Sequence, residues 1–536
     1  MSLSISNQTI GGEEASKFQS RLTLADPYES NGKLKMATLN NCRILILVLL
    51  LGFATPIVNA TDRTTANIYR VIFDPEEPRT ARVEAEISIS EQTLRMAPWG
   101  HPYLPQGWAT FIKNLRVTDQ HGIPVSFEDA GEETWGAWKV DAEDGMRINL
   151  RYETEFSQDE FDWNDAGGQD SRPSLSNGAL FLVTKALFIY SPAVTEAEVE
   201  IVAPDNWTIS SPWPAVAGFE NKFAADSWIS LINNALVVGE HRQRVVRDGD
   251  MTIVLALDER LSASIDIFER TFRKQLGAYR KLFDGTPEST YLVTIRVADE
   301  DDGESFENSF NQVVTPGRFE QRAIVWANTM GHELFHYWNG NHVLVGAEKE
   351  NVEWFGEGFT EYYSSLTLYR TGIINEDLWF RKLETYLARY VITTQMWPVD
   401  TVSLVAAGQD KHKNWLRIYG GGATVALMLD IEIRSATGGD RGLDDVMRLL
   451  KQQFADPGAR YRVSDILAAI NSVSGKDFAS FFDSHIFGST EQLNIAEILR
   501  KAGINAEQFA DELYLSRMTS PSPLQNDIYE GITIID

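Results

Sequence analysis

Short runs in which apolar and polar residues alternate recur along the first half of the chain. Examples are ARVEAEISIS at 81–90, MRINLRYETEF at 146–156, EAEVEIVAP at 196–204 and MTIVLAL at 251–257, separated by clusters of Gly, Pro, Asn and Asp. Period-two patterning over runs this short predicts half-buried strands, and hence an antiparallel β domain over residues 61–257. Past residue 258 the period changes. The segment SASIDIFERTFRKQLGAYRKLF at 262–283 has helical spacing, and YLVTIRVA at 291–298 reads as one strand. From Ala323 onward nearly every segment is helix-like, including ATVALMLDIEIR at 423–434 and GLDDVMRLLKQQF at 442–454. The predicted class is therefore α+β, with a mainly helical second domain over 258–501 as the enzyme body. Residues 502–536 are expected to form a C-terminal tail too short for a further domain.

One apolar run stands outside this scheme. ILILVLLLGFA at 44–54 follows Lys33, Lys35 and Arg43 and precedes Val58, Asn59 and Ala60. A basic flank, a short uncharged stretch and small residues at −3 and −1 predict a secretory signal cleaved after Ala60, so that residues 1–60 are a leader. The run falls short of the roughly 18 to 20 residues needed to span a bilayer, so the mature chain is expected to have no transmembrane segment. No lipobox cysteine follows it. An exported protein, periplasmic or secreted, is the resulting expectation. Residues 1–35 are polar and precede the signal, which makes Met36 a second candidate start.

Composition narrows the function. The 536 residues carry 48 Lys and Arg against 76 Asp and Glu, a formal charge of −28, so phosphate backbones are repelled and nucleic acid is excluded as a partner. The single cysteine, Cys42, lies in the leader and cannot form an internal disulfide.

The candidate chemistry is at His332-Glu333-Leu334-Phe335-His336. On a helix the i, i+4 spacing puts both imidazoles of this HExxH motif on one face, where they can share a zinc ion, one per chain, with Glu333 beside the open position. Random placement would produce the motif in about one chain in a hundred of this histidine content. Two third ligands are available. His342 lies six residues past His336, where three-histidine enzymes place theirs, but Asn339 stands where their turn needs glycine. Glu357, in the helix-like segment 354–363, completes a His2Glu set and is favoured. Glu361 falls one turn further on the same face, positioned to accept a ligand histidine's free N–H.

HELFHYWN at 332–339 followed by WFGEGFTEYY at 354–363 resembles the glycyl aminopeptidase family of gluzincins, whose catalytic domain is thermolysin-like. WGHPY at 99–103, FAADSWISLINNALVVG at 223–239, YGGGATVALMLDIEIR at 419–434 and VSGKDFASFFDSHIFG at 473–488 are similar to stretches of that family in the same order. The resemblance implies a thermolysin-like catalytic domain behind the β domain and an aminopeptidase releasing small N-terminal residues such as Gly or Ala by attack of a zinc-activated water. It further implies Glu333 as general base and Tyr419, opening Tyr419-Gly420-Gly421-Gly422, as the oxyanion donor. The family's Tyr-x-Lys-Gly lysine is Gly421 here. The related enzymes bind the substrate amine through a glutamate in a Gly-x-Met-Glu-Asn or Gly-Gly-Leu-Glu-His strand. In Gly303-Glu304-Ser305-Phe306-Glu307-Asn308 the resemblance assigns that role to Glu307. The residues after Gly503 are too few for the C-terminal PDZ domain that members commonly carry. Peptides or proteins are the expected substrates. The competing expectations are a zinc endopeptidase on the same scaffold and a non-catalytic binding protein that keeps the fold. The acidic run 299–304 lacks calcium-loop spacing and reads as a solvated loop.

Overall fold

The computed structural model describes residues 66–97, 104–131, 136–158, 171–285, 290–396, 402–489, 491–510 and 512–534. The leader, its cleavage site and the WGHPY stretch lie outside the described residues. No helix among the described residues is long and apolar enough to cross a membrane.

In the N-terminal half the alternation becomes strands with one wet face. Thr80–Ser88 buries Ala81, Val83, Ala85 and Ile87 and turns Arg82 and Glu86 outward. It sits inside a six-stranded sheet ordered Lys222–Ala225, Ala197–Val202, Asn67–Phe73, Thr80–Ser88, Arg147–Glu155, Ile112–Asp119. Every pair is antiparallel except Asn67–Phe73 with Ala197–Val202. Its apolar face shares a core with a four-stranded sheet whose central strands, Ala179–Val183 and Ala235–Gly239, are buried at every residue.

The architecture changes earlier than the patterning suggests. Strands β1 (Arg242–Asp248) and β2 (Met251–Leu257) belong to a second, mixed sheet with β3 (Thr290–Val297), β4 (Asp302–Ser305) and β5 (Ser309–Val314), in the order β1-β2-β3-β5-β4. Here β2, β3 and β5 run parallel, and β4 is an antiparallel edge strand. A half-buried strand reads alike in either sheet, so periodicity could not place this boundary. Strand β2 is buried on both faces: Ile253, Leu255 and Leu257 face the helical core, and Val254 and Ala256 face the core of the N-terminal sheets. One hydrophobic strand thus joins the two halves.

Helix α1 (Ile265–Phe283) buries Phe268, Phe272, Leu276, Tyr279 and Phe283 at three- and four-residue spacing. It is tied to α2 (Ala323–Phe335) by Gln275 Nε2 donating to the Ala327 carbonyl at 2.6 Å and Tyr279 Oη donating to the Gly331 carbonyl at 2.9 Å. A Cβ on Gly331 would lie 2.8 Å from Gln275 Nε2, so glycine permits that approach one residue before His332. Helix α3 (Lys349–Arg370) crosses α4 (Gly422–Thr437) through glycines on both sides. A Cβ on Gly422 would lie 2.4 Å from the Trp354 carbonyl oxygen and 2.9 Å from Gly358 Cα. The C-terminal residues fold back on the helical half. Ile504–Phe509 and Glu512–Arg517 pair as a hairpin, and Ile528, Tyr529 and Ile532 of the last helix join the helical core.

Candidate metal centre and active site

Helix α2 ends at Phe335, so His332 lies in its last turn and His336 caps it. Their rings are 4.6 Å apart, and His332 Nε2 and His336 Nε2 approach to 3.0 Å. Glu357, in the middle of α3, brings Oε2 to 3.1 Å from His332 Nε2 and 3.3 Å from His336 Nε2. All three side chains are buried, and their ligand atoms lie within 4.8 Å of one another, an arrangement that could hold a metal ion. No other such group of His, Cys, Asp and Glu occurs among the described residues.

The second contact of His336 shows why its Nε2 presents a lone pair. His336 Nδ1 lies 3.0 Å from the Asn339 carbonyl oxygen. A carbonyl can only accept, so Nδ1 carries the proton and Nε2 is left as a donor of electrons toward the shared point. Asn339 is fully buried, and its Nδ2 donates to the Phe355 and Gly356 carbonyls at 3.2 and 3.3 Å, fastening the end of α2 to α3. Gly340 follows at φ 137°, a conformation that favours glycine, and a Cβ there would lie 3.3 Å from His336 Nδ1. Asn339 is a site residue that spacing alone read only as the wrong residue for a three-histidine turn.

Glu361 lies beneath this group but does not take a histidine N–H. Its Oε2 accepts from Tyr386 Oη at 2.8 Å and Asn328 Nδ2 at 3.1 Å. Burial pushes its carboxyl up, but the charges of Lys382 and His332 and these hydrogen bonds overcome that and bring it to about 2. Its effect on His332 is therefore electrostatic. Burial alone would lower the His332 imidazole, yet its hydrogen bond to the Glu357 carboxylate and the charges of Glu333 and Glu361 hold it at about 9. This pocket favours a positive charge.

Glu333 is buried on the same turn as His332. Burial raises its carboxyl to about 7 against the opposing pull of His332 and His336. The edge strand β4 passes directly over it: a Cβ on Gly303 would sit 2.8 Å from Glu333 Cγ and 2.9 Å from Thr329 Cγ2. Tyr419 enters from a π-helical turn, Leu416–Gly421, and its ring stacks at 5.9 Å on His332. Burial, and then the charge of Glu357, raise the Tyr419 phenol, so it remains a neutral O–H donor. The glycines after it serve packing, because a Cβ on Gly420 would meet Arg389 Cβ at 2.4 Å and Gly422 abuts α3. Gly422→Ala is expected to lower unfolding free energy by at least about 1–3 kcal/mol, since the obstructing atoms are backbone. Denaturant unfolding at constant zinc would measure it.

The other two candidates, His342 and Glu307, pair with each other. His342 stacks on Tyr337 at 5.0 Å and pairs with Glu307 Oε1 at 3.2 Å, and it is not among the convergent ligand atoms. Glu307 lies in the turn between β4 and β5, with Oε1 at 3.2 Å from His342 Nδ1. The strand residues that line the cleft are Gly303, Glu304 and Ser305. Glu304 pairs with buried Lys185 of the N-terminal half at 2.9 and 3.1 Å, and Lys185 Nζ lies 5.5 Å from the Trp108 ring centre and 5.4 Å from that of Phe306.

Residues 68–240 match the Peptidase M61 N-terminal domain, and residues 325–421, which contain every triad residue and Tyr419, match the M61 glycyl aminopeptidase domain. The chain belongs to the M61 glycyl aminopeptidase family. It is thus a metallopeptidase, a peptide-bond hydrolase. No curated protein matches it by sequence. Its fold is similar to that of an aminopeptidase N family protein from Idiomarina loihiensis, at 19% identity and TM-score 0.68, over 82% of this chain and 79% of that one. It is also similar to an M1 zinc metallopeptidase from Deinococcus radiodurans, at 14% identity and TM-score 0.52, over 80% and 95%. Yeast LTA4 hydrolase in complex with bestatin matches at 13% identity and TM-score 0.53, over 80% and 68%. These likenesses support the expected α+β class, an antiparallel-rich sheet domain followed by a helical one.

Proposed function

We propose that the chain is an exported zinc aminopeptidase that removes small residues, Gly or Ala, from free N-termini. The observation that carries this reading is the convergence of His332, His336 and Glu357 with Glu333 on the adjoining turn. Two imidazoles, His332 giving up its proton when a metal binds, and one carboxylate are the donor set of an open catalytic zinc site. A zinc ion held there would supply Lewis acidity toward the scissile carbonyl and the attacking water. Glu333 takes the proton of that water and passes it to the leaving nitrogen, a task suited to a carboxylate near neutrality. Tyr419 donates a hydrogen bond to the carbonyl oxygen as its charge grows. The edge strand β4 offers its backbone to an extended peptide, and Gly303 keeps Glu333 free beneath it. Export is supported by the signal pattern at 44–60.

Glu304 lines the cleft beside the triad, and we take it as the carboxylate that meets a substrate ammonium. One charge-assisted hydrogen bond contributes about 1.5–3 kcal/mol, so Glu304→Gln is expected to lower kcat/KM for free-amine substrates roughly ten- to a hundredfold. N-acetylated substrates should be little affected, and Glu307→Gln should change neither. The pairing of Glu304 with Lys185 favours a second reading, an endopeptidase in which that carboxylate is already satisfied. Aminoacyl-p-nitroanilides assayed beside their acetylated forms separate the two. Equal cleavage by the wild type, unchanged in Glu304→Gln, would select the endopeptidase.

A further inference from the structure

The two oxygens of Glu357 face different partners. Oε2 points at the imidazole nitrogens, while Oε1 receives a short hydrogen bond from Lys411 Nζ. The lysine comes from a turn far along the chain, just past Gly408–Asp410. That turn is pressed against α3: a Cβ on Gly408 would lie 1.8 Å from the Glu350 carbonyl oxygen and 3.3 Å from Glu353 Cβ. The ammonium also lies 3.5 Å from Glu353 Oε2 and 5.5 Å from the Tyr419 ring centre, and its side chain is about one-third exposed, to the cleft. A carboxylate engaged in this way on one oxygen has only the other to offer a cation.

We propose that Lys411 is a positioning residue that keeps Glu357 a one-oxygen metal ligand, and thereby keeps a coordination position open for the reacting groups. This rests on the reading of the site as a zinc peptidase centre. Without the ammonium, Oε1 is free to turn toward the metal, and the positive charge that opposes a second cation is gone. The two effects act in the same direction on metal retention and in the opposite direction on turnover. A residue that merely supported the fold would lower both together.

The test uses the zinc-loaded full chain, Lys411→Met and Lys411→Arg, with zinc transfer to a chromogenic chelator measured beside peptidase kinetics. Lys411→Met should release zinc roughly five- to tenfold more slowly than wild type while kcat falls about ten- to a hundredfold and KM changes little. Lys411→Arg, which preserves the charge and the donor, should return both quantities toward wild type. Faster zinc loss from the Met variant, or undiminished kcat, overturns the proposal while leaving the peptidase reading intact. A wild-type chain that binds no zinc overturns that reading and this proposal with it.

Discussion

Glu333→Gln is expected to hold zinc at the wild-type stoichiometry and to lose about a hundred- to ten-thousandfold in kcat. The side chain is not among the converging ligand atoms, so an isosteric amide removes no ligand. It does remove the proton acceptor. Gln also preserves the packing under β4, where Gly303 leaves no spare space, so the loss cannot be ascribed to a collapsed cleft. The pH profile provides a second readout. Burial brings the Glu333 carboxyl to about 7, and only its ionised form accepts a proton, so wild-type kcat/KM should fall as pH drops through that region. A bound cation draws the carboxylate lower, moving the acid limb down rather than up. The residual activity of Glu333→Gln should lack that limb. Near-native turnover in the variant would remove Glu333 from the mechanism.

Glu357→Ala is expected to fall from about one zinc per chain to almost none, while His342→Ala keeps its metal. Two effects combine in the first variant. A ligand oxygen disappears, and Lys411, whose ammonium is held by Glu357, is left facing two imidazoles with only Glu353 to balance it. The pocket that favoured a cation then repels one. His342 interacts with Tyr337 and Glu307, so its loss touches no ligand atom. Metal analysis of both proteins checks the pair, and the reverse outcome would make the third ligand a histidine.

What could be read from the chain beforehand follows from how local each signal is. The HExxH pair needs only helical spacing, and α2 supplies it. Glu357 was found because WFGEGFTEYY marks a second helix, although its meeting with the histidines is tertiary. Tyr419 was placed by resemblance, and the glycines behind it proved to be packing contacts for Arg389 and α3. Asn339, Lys411 and Glu304 carry no signal of their own, because each gains its role from a partner on a distant segment. Glu307 is placed by resemblance alone. It lies in the turn between β4 and β5, and residue order cannot show where an edge strand stops. Strand β2 is legible as a strand, but its partners, β1 antiparallel and β3 parallel, are not, since alternation reports burial and not partnership.

The most direct measurement is turnover of glycyl- and alanyl-p-nitroanilide by the purified full chain as a function of bound zinc. The account predicts that activity rises in proportion to zinc up to one ion per chain, disappears on chelation and returns when zinc is restored. Full activity in the metal-free chain, or a chain loaded with one zinc that hydrolyses neither substrate, would contradict it.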